Sequence, residues 1–174
     1  MIVSLEWLKD YTDINVSPEE FCDKMIMSGS NLETMEHVGC DMEKVVVGKI
    51  LKIEKHPDAD KLVVCQVDVG NDQPVQIVTG APNVFEGAYV PVALDGSRIP
   101  GPLHGQPKKE GGEIIKAGKL RGVESCGMLC SFGELGFQDK VVPVNQRDGI
   151  WILNGEYPVG MDFAEALQLE DYIV

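Results

Sequence analysis

A chain of 174 residues with 44% hydrophobic content can bury a core of its own, as one domain or two small ones. Its net charge of −13, taken as a total, argues against a nucleic-acid binder, and no apolar run approaches the length of a membrane span. Five cysteines (Cys22, Cys40, Cys65, Cys126, Cys130), odd in number, widely spaced and following no secretory leader, predict free thiols in a reducing cytoplasm rather than a disulfide framework.

The charge is unevenly spread. Residues 40–150 carry 13 Lys+Arg against 15 Asp+Glu, a net of −2, whereas the flanks carry 2 against 13, a net of −11. Within 98–121 six cations (Arg98, Lys108, Lys109, Lys116, Lys119, Arg121) are offset by Glu110 and Glu113 alone. A basic segment between acidic ends is a local signal that the total hides.

In chain order, Met1–Val3 reads as a short strand, and Ser4 can cap a helix through Leu5, Trp7, Leu8 and Tyr11. The next helix start is better marked: Ser17 as N-cap, Pro18 at the first helical position, Glu20 closing a capping box, and Val16 and Phe21 at the positions of a hydrophobic staple. Phe21, Met25 and Ile26 share a face, Gly29 ends the helix, and Leu32–Val38 returns as a strand. From Lys44 the texture is β. Val45–Ile53 and Leu62–Val69 are joined by the turn-forming KHPDADK, and in the second run Val63, Cys65, Val67 and Val69 alternate with Val64, Gln66 and Asp68. Val75–Val78, Tyr89–Leu94, Glu113–Ile115 and Gly127–Cys130 add short strands around a Gly/Pro/Lys loop at 96–112. About five short strands with Gly-rich connections predict a small closed barrel of the oligonucleotide/oligosaccharide-binding (OB) kind. After Gly149 the texture changes again: Trp151–Leu153 as a strand, a helix capped by Asp162 through Phe163, Ala166 and Leu167, and a strand at Tyr172–Val174. The expected fold is α+β: an all-β, five-stranded OB barrel at 40–149, inserted in a small split α/β domain formed by 1–39 plus 150–174. The apolar, strand-like ending, with no polar tail, predicts that the chain was cut from a longer one.

The candidate reactive groups do not assemble into a catalytic constellation. His56, Asp58 and Asp60 alternate as metal ligands can, but without a second ligand cluster they read as a polar turn. Cys126 and Cys130 have a zinc-like spacing that no other Cys or His pair completes. Ser125 in GVESCG is not a nucleophile elbow, with His104 an unsupported base, and the glycines form no P-loop. What remains is the run Lys119–Gly136. Cations at its entrance precede Gly122, Ser125 and Gly127, whose small side chains let a partner approach the backbone. A polyanion is the natural candidate, and with aromatics as sparse as Phe85, Tyr89, Phe132 and Phe137, recognition of a folded RNA by shape and phosphate suits the composition better than base stacking.

HPDADKLVVCQVDVG (56–70), IVTGAPNV (77–84) and KLRGVESCGMLCSFGELGF (119–137) closely resemble the tRNA-binding domain found in several synthetases and free-standing tRNA-binding proteins. MIVSLEWLKDYTDI and GMDFAEALQLEDYIV, at the two ends, resemble the beginning of the bacterial phenylalanine–tRNA ligase beta subunits. The resemblance implies a non-catalytic N-terminal portion of an α2β2 ligase in the cytoplasm. Its aminoacylation site, with ATP and Mg2+, would lie on the alpha subunit, and no cofactor would bind here. Carried over by motif, the RNA-facing positions are Asn83, Arg121, Ser125, Met128 and Ser131, to which the basic segment adds Lys108, Lys109, Lys116 and Lys119. Thr79 stands where many relatives have cysteine. Two alternatives remain at this stage: a free-standing tRNA chaperone, and a module that contacts only protein.

Overall fold

The computed structural model describes residues 2–39, 41–138 and 140–174; Met1, at the start of the expected first strand, and Cys40 lie outside them. The elements are α1 (Leu5–Leu8), α2 (Pro18–Met27), β1 (Glu36–Val38), β2 (Glu43–Lys55), β3 (Val63–Asp68), β4 (Val75–Thr79), β5 (Tyr89–Ile99), β6 (Glu113–Ile114), β7 (Gly118–Leu120), β8 (Val123–Ser125), β9 (Gly127–Leu129), α3 (Phe163–Ala166) and β10 (Asp171–Ile173). They divide into two compact units, Met1–Cys40 with Leu167–Val174, and Asp41–Ala166.

In the first unit both helices start at the expected caps. Ser4 Oγ accepts from the N–H of Trp7 and Ser17 Oγ from that of Glu20, with Pro18 opening α2. The reciprocal arm of the capping box is absent from these contacts, because the Glu20 carboxylate pairs instead with Lys24 at 2.9 Å. α1 stops at Leu8, short of the expected Tyr11. β1 and β10 pair antiparallel with His37 opposite Tyr172, their rings stacked at 4.3 Å, and Val3 and Val174 exchange backbone hydrogen bonds. Asp171 ties the start of α1 to this ribbon: it accepts from Ser4 Oγ, from the N–H of Glu6 and from that of Tyr172. Burial pushes the Asp171 carboxyl up, but these donors, with Lys9, outweigh it and hold it below the ordinary value.

The second unit is built on β2, whose thirteen residues pair with β5 along one half and β3 along the other. The order β4-β3-β2-β5-β6, with β9 also on β5, leaves one gap between β4 and β9. It is bridged by the Cys126 N–H to Gln76 O (2.8 Å), the Val78 N–H to Ser125 Oγ (3.0 Å) and Gln76 Nε2 to Glu124 O (2.8 Å). The outcome is a nearly closed five-strand antiparallel barrel. Its interior includes Cys65 and Val67, fully buried on the expected inward side of β3, together with Ile77 on β4, Val90 and Val92 on β5 and Ile50 on β2, which are also fully buried. Each such side chain contributes about 1.5–3 kcal/mol of burial.

The chain after Gly149 returns to this barrel. Ile150 enters the core, the Trp151 N–H donates to Cys130 O and that of Leu153 to Tyr89 O, both at 2.9 Å. Further on, the N–H of Val47 donates to Met161 O (2.9 Å) and that of Gly160 to Val47 O (2.8 Å). Phe163, fully buried, meets Trp151 edge-on at 5.2 Å, and Trp151 stacks on Phe132 at 3.9 Å. Residues 150–166, which local texture groups with the acidic flank, are thus bound to the barrel strands by long-range backbone pairing.

Candidate nucleic-acid interface

The basic run folds into a hairpin, a stretch to which the sequence assigned no strand. β7 and β8 pair with Gly118 opposite Ser125, Lys119 opposite Glu124 and Leu120 opposite Val123. Only Arg121 and Gly122 are left for the turn, at φ 47° and 86°. Two successive left-handed residues make the two-residue turn whose twist suits a hairpin, usually built as Asn-Gly. Arginine in that position costs about 1 kcal/mol or more of backbone strain and projects its guanidinium from the tip. Lys119, Leu120 and Arg121 are all exposed, and Lys116 is exposed just before the hairpin. At the base, Asp95 Oδ1 accepts from the N–H of Ala117 at 2.6 Å and Glu124 O from Gln76 at 2.8 Å.

The other nominated cations differ in freedom. Lys109 Nζ lies 2.8 Å from both carboxylate oxygens of Glu113, which is only 6% exposed, so its charge is matched within the loop. Arg98 lies 3.5 Å from Glu43. Lys108 is exposed on the same loop as Lys109.

Asn83, Ser125, Met128 and Ser131 are separately placed, each with an architectural task. The Asn83 carboxamide is engaged at both ends, Nδ2 donating to Ile150 O (2.8 Å) and Oδ1 accepting from the Ile150 N–H (3.0 Å). Ser125 is buried; its hydroxyl accepts from Val78 and donates to Gly127 O at 2.9 Å. Met128 sits half-buried on β9 opposite Ala93. Ser131 forms a tight turn with Glu134, whose Oε2 accepts from its N–H at 2.7 Å and its hydroxyl at 2.8 Å. That turn borders a cleft also lined by His104, Gln106 and Arg147. Lys119, Arg121 and Ser125 therefore share one hairpin, while Asn83 and Ser131 belong to other parts of the barrel unit.

His56 resolves as part of a turn. It is buried, its Nδ1 accepts from the Asp58 N–H at 3.0 Å, and its Nε2 lies 3.0 Å from Leu120 O. Among the described residues no group of three or more His, Cys, Asp or Glu is placed to hold a metal ion. Burial pushes the Cys65 thiol up to about 11 and raises that of Cys130 further, so neither is a ready thiolate. No helix among the described residues is long and apolar enough to cross a membrane. Phe132 is buried in the aromatic cluster; Phe85 remains exposed, and Tyr89 carries Lys49 Nζ 5.0 Å over its ring.

The profile of a family described as "Putative tRNA binding domain" matches residues 45–160, which coincide closely with the barrel unit. The whole chain is also similar to proteins named phenylalanine–tRNA ligase beta subunit. Identity is 45% over 174 residues in Clostridium acetobutylicum, 44% over 174 in Latilactobacillus sakei and 42% over 175 in Geobacillus kaustophilus. In each case all of this chain is covered, and it spans 20% of the relative's length.

Proposed function

Because the chain belongs to the tRNA-binding domain family, we propose that its nearly closed barrel is an OB barrel that contacts folded tRNA and performs no chemistry itself. The observation that carries this reading is the hairpin within the matched span, which lifts Lys119 and Arg121 from the barrel with Lys116 beside them. Mechanistically the hairpin is a phosphate reader: guanidinium and ammonium groups release counterions from the RNA backbone, and no base edge need be exposed. The acidity of this chain weakens long-range attraction, so binding by it alone is expected to be in the micromolar range or weaker.

In the whole protein, the likeness to ligase beta subunits supports a role as a tRNA-contacting or assembly portion of a cytoplasmic phenylalanine–tRNA ligase, partnered by an alpha subunit in an α2β2 arrangement. ATP and Mg2+ would serve that ligase elsewhere. The two chain ends forming one compact unit support the inserted-barrel organisation, with the insert running from Asp41 to about Ala166.

The test is a titration of the 174-residue chain with tRNA at two salt concentrations, repeated for Lys119→Ala plus Arg121→Ala. Each lost phosphate contact flattens the log–log salt slope by about 0.7–0.9, so the double variant should lose about one to two units. Binding unchanged by the double substitution at both salts would remove the hairpin from the interface. Absence of any salt-dependent binding would leave a module that contacts only protein.

A further inference from the structure

The hairpin that carries the cations is three residues long on each strand, too short to hold its own position. Its base is tied by Asp95 and Gln76, as described above. Near its tip the tie is different. Leu120, the residue before the Arg121–Gly122 turn, offers its carbonyl to the imidazole of His56, sixty-four positions earlier in the chain. The partners fix the tautomer: a backbone N–H can only donate, so Nδ1 facing Asp58 is bare, and a carbonyl can only accept, so Nε2 carries the proton toward Leu120. A neutral ring, 5% exposed, is thus held at both nitrogens by main-chain atoms of two different elements.

We propose that His56 is a positioning residue for the RNA-facing hairpin: its imidazole links the Pro57 turn to Leu120 and fixes where Lys119 and Arg121 stand on the barrel. The reason is entropic as well as geometric. Two long cations on a swinging hairpin must be immobilised when they meet phosphate, and a hairpin already clamped beside its tip has less freedom to lose. The consequence for RNA rests on the tRNA-binding reading; the positioning itself can be read without RNA.

Gln and Asn separate the two ring nitrogens, because the Gln amide nitrogen reaches the position of Nε2 and the Asn oxygen that of Nδ1. In the full 174-residue chain, His56→Gln should keep amide exchange across residues 118–125 at the wild-type rate. His56→Asn should keep the turn yet speed exchange there by about tenfold, the loss of roughly one net hydrogen bond. With tRNA as the probe, the Gln variant should retain the salt slope, and the Asn variant should lose up to about two units as both cations disengage. Should the Asn variant not fold, the wild-type imidazole 15N spectrum decides, with Nε2 protonated and Nδ1 bare as the required signature. An Nδ1-protonated ring, an Asn variant whose hairpin exchanges like wild type, or equal loss in Gln and Asn variants would each overturn the proposal. Failure of wild-type protein to bind tRNA would count against the RNA reading alone, since the exchange and 15N results stand without it.

Discussion

Asn83 is the position where an RNA-facing expectation and an architectural task make opposite predictions. Its carboxamide makes a reciprocal pair of hydrogen bonds with Ile150, and Ile150 is 3% exposed in the barrel core. The backbone beside it has been shaped to allow this: Gly149 sits at φ 117°, and a Cβ there would meet Asn83 Oδ1 at 2.1 Å. Replacing Asn83 by alanine removes two bonds worth about 1 kcal/mol each and leaves the Ile150 N–H and C=O partly buried without partners, for a total of about 3 kcal/mol. At about 3 °C per kcal/mol for a chain of this size, Tm should fall by about 9 °C. Asn83→Asp should fare no better, because a carboxylate keeps the acceptor for the Ile150 N–H but sets a second oxygen against the Ile150 carbonyl. Thermal melting and urea unfolding followed by circular dichroism provide the readout. An Asn83→Ala protein within about 0.5 kcal/mol of wild type would refute the latch. Weakened tRNA binding at unchanged stability would return Asn83 to the RNA surface.

Two further outcomes follow from features of the fold. Asp171 titrates below its ordinary value in the folded chain, so its contribution is complete above the unfolded carboxylate pKa of about 3.9 and is lost as pH falls through the folded value. Asp171→Asn should therefore destabilise the unit formed by the chain ends at pH 7, with the gap from wild type beginning to close below about pH 4 and continuing to close as pH falls through the folded value; a gap in urea unfolding that stays constant from pH 7 down to well below pH 4 would contradict this. Gly101 packs against the Ser131–Glu134 turn so closely that a Cβ would lie 1.9 Å from Gly133 O. Because every atom in the way is backbone, Gly101→Ala should cost about 1–3 kcal/mol, and unchanged melting would show that the turn gives way freely.

Features encoded within a few residues were legible in the sequence. Ser17-Pro18 starts α2, Asp162 Oδ1 accepts from the N–H groups of Ala164 and Glu165 at the start of α3, and alternation located the inward side of β3. Strand ends were less so. β5 runs on to Ile99 through Gly96, where a left-handed residue looks like a stop but serves a register shift against β2. The hairpin was hidden because its turn is Arg-Gly instead of Asn-Gly, and strands of three residues are too short to show an alternating pattern. A two-residue Gly-containing interval between K-L and V-E-S was the available signal. For the candidate site, the charge cluster includes the exposed hairpin residues Lys119 and Arg121, but Lys109 carried no sign that Glu113 would claim it. His56 looked like a turn or a metal ligand because its partner, Leu120 O, is a backbone atom, which no side-chain pattern announces.

The shared edge of β2 has a consequence for how the protein is made. β5 covers one side of Val46 and Val47; β3 covers the other side only from Lys49 onward, and there Gly160–Asp162 take its place. A ribosome releases the apolar stretch Val45–Val47 long before those covering residues. At about 5–20 residues per second, the interval is on the order of ten seconds. During it an unpaired Val-rich edge faces a crowded solution, a template for pairing with neighbouring nascent chains. Slow synthesis should therefore favour aggregation of this barrel, and holdase chaperones that bind extended apolar segments should recover yield, because the last strap needed to seal β2 is among the last residues of the barrel unit to emerge.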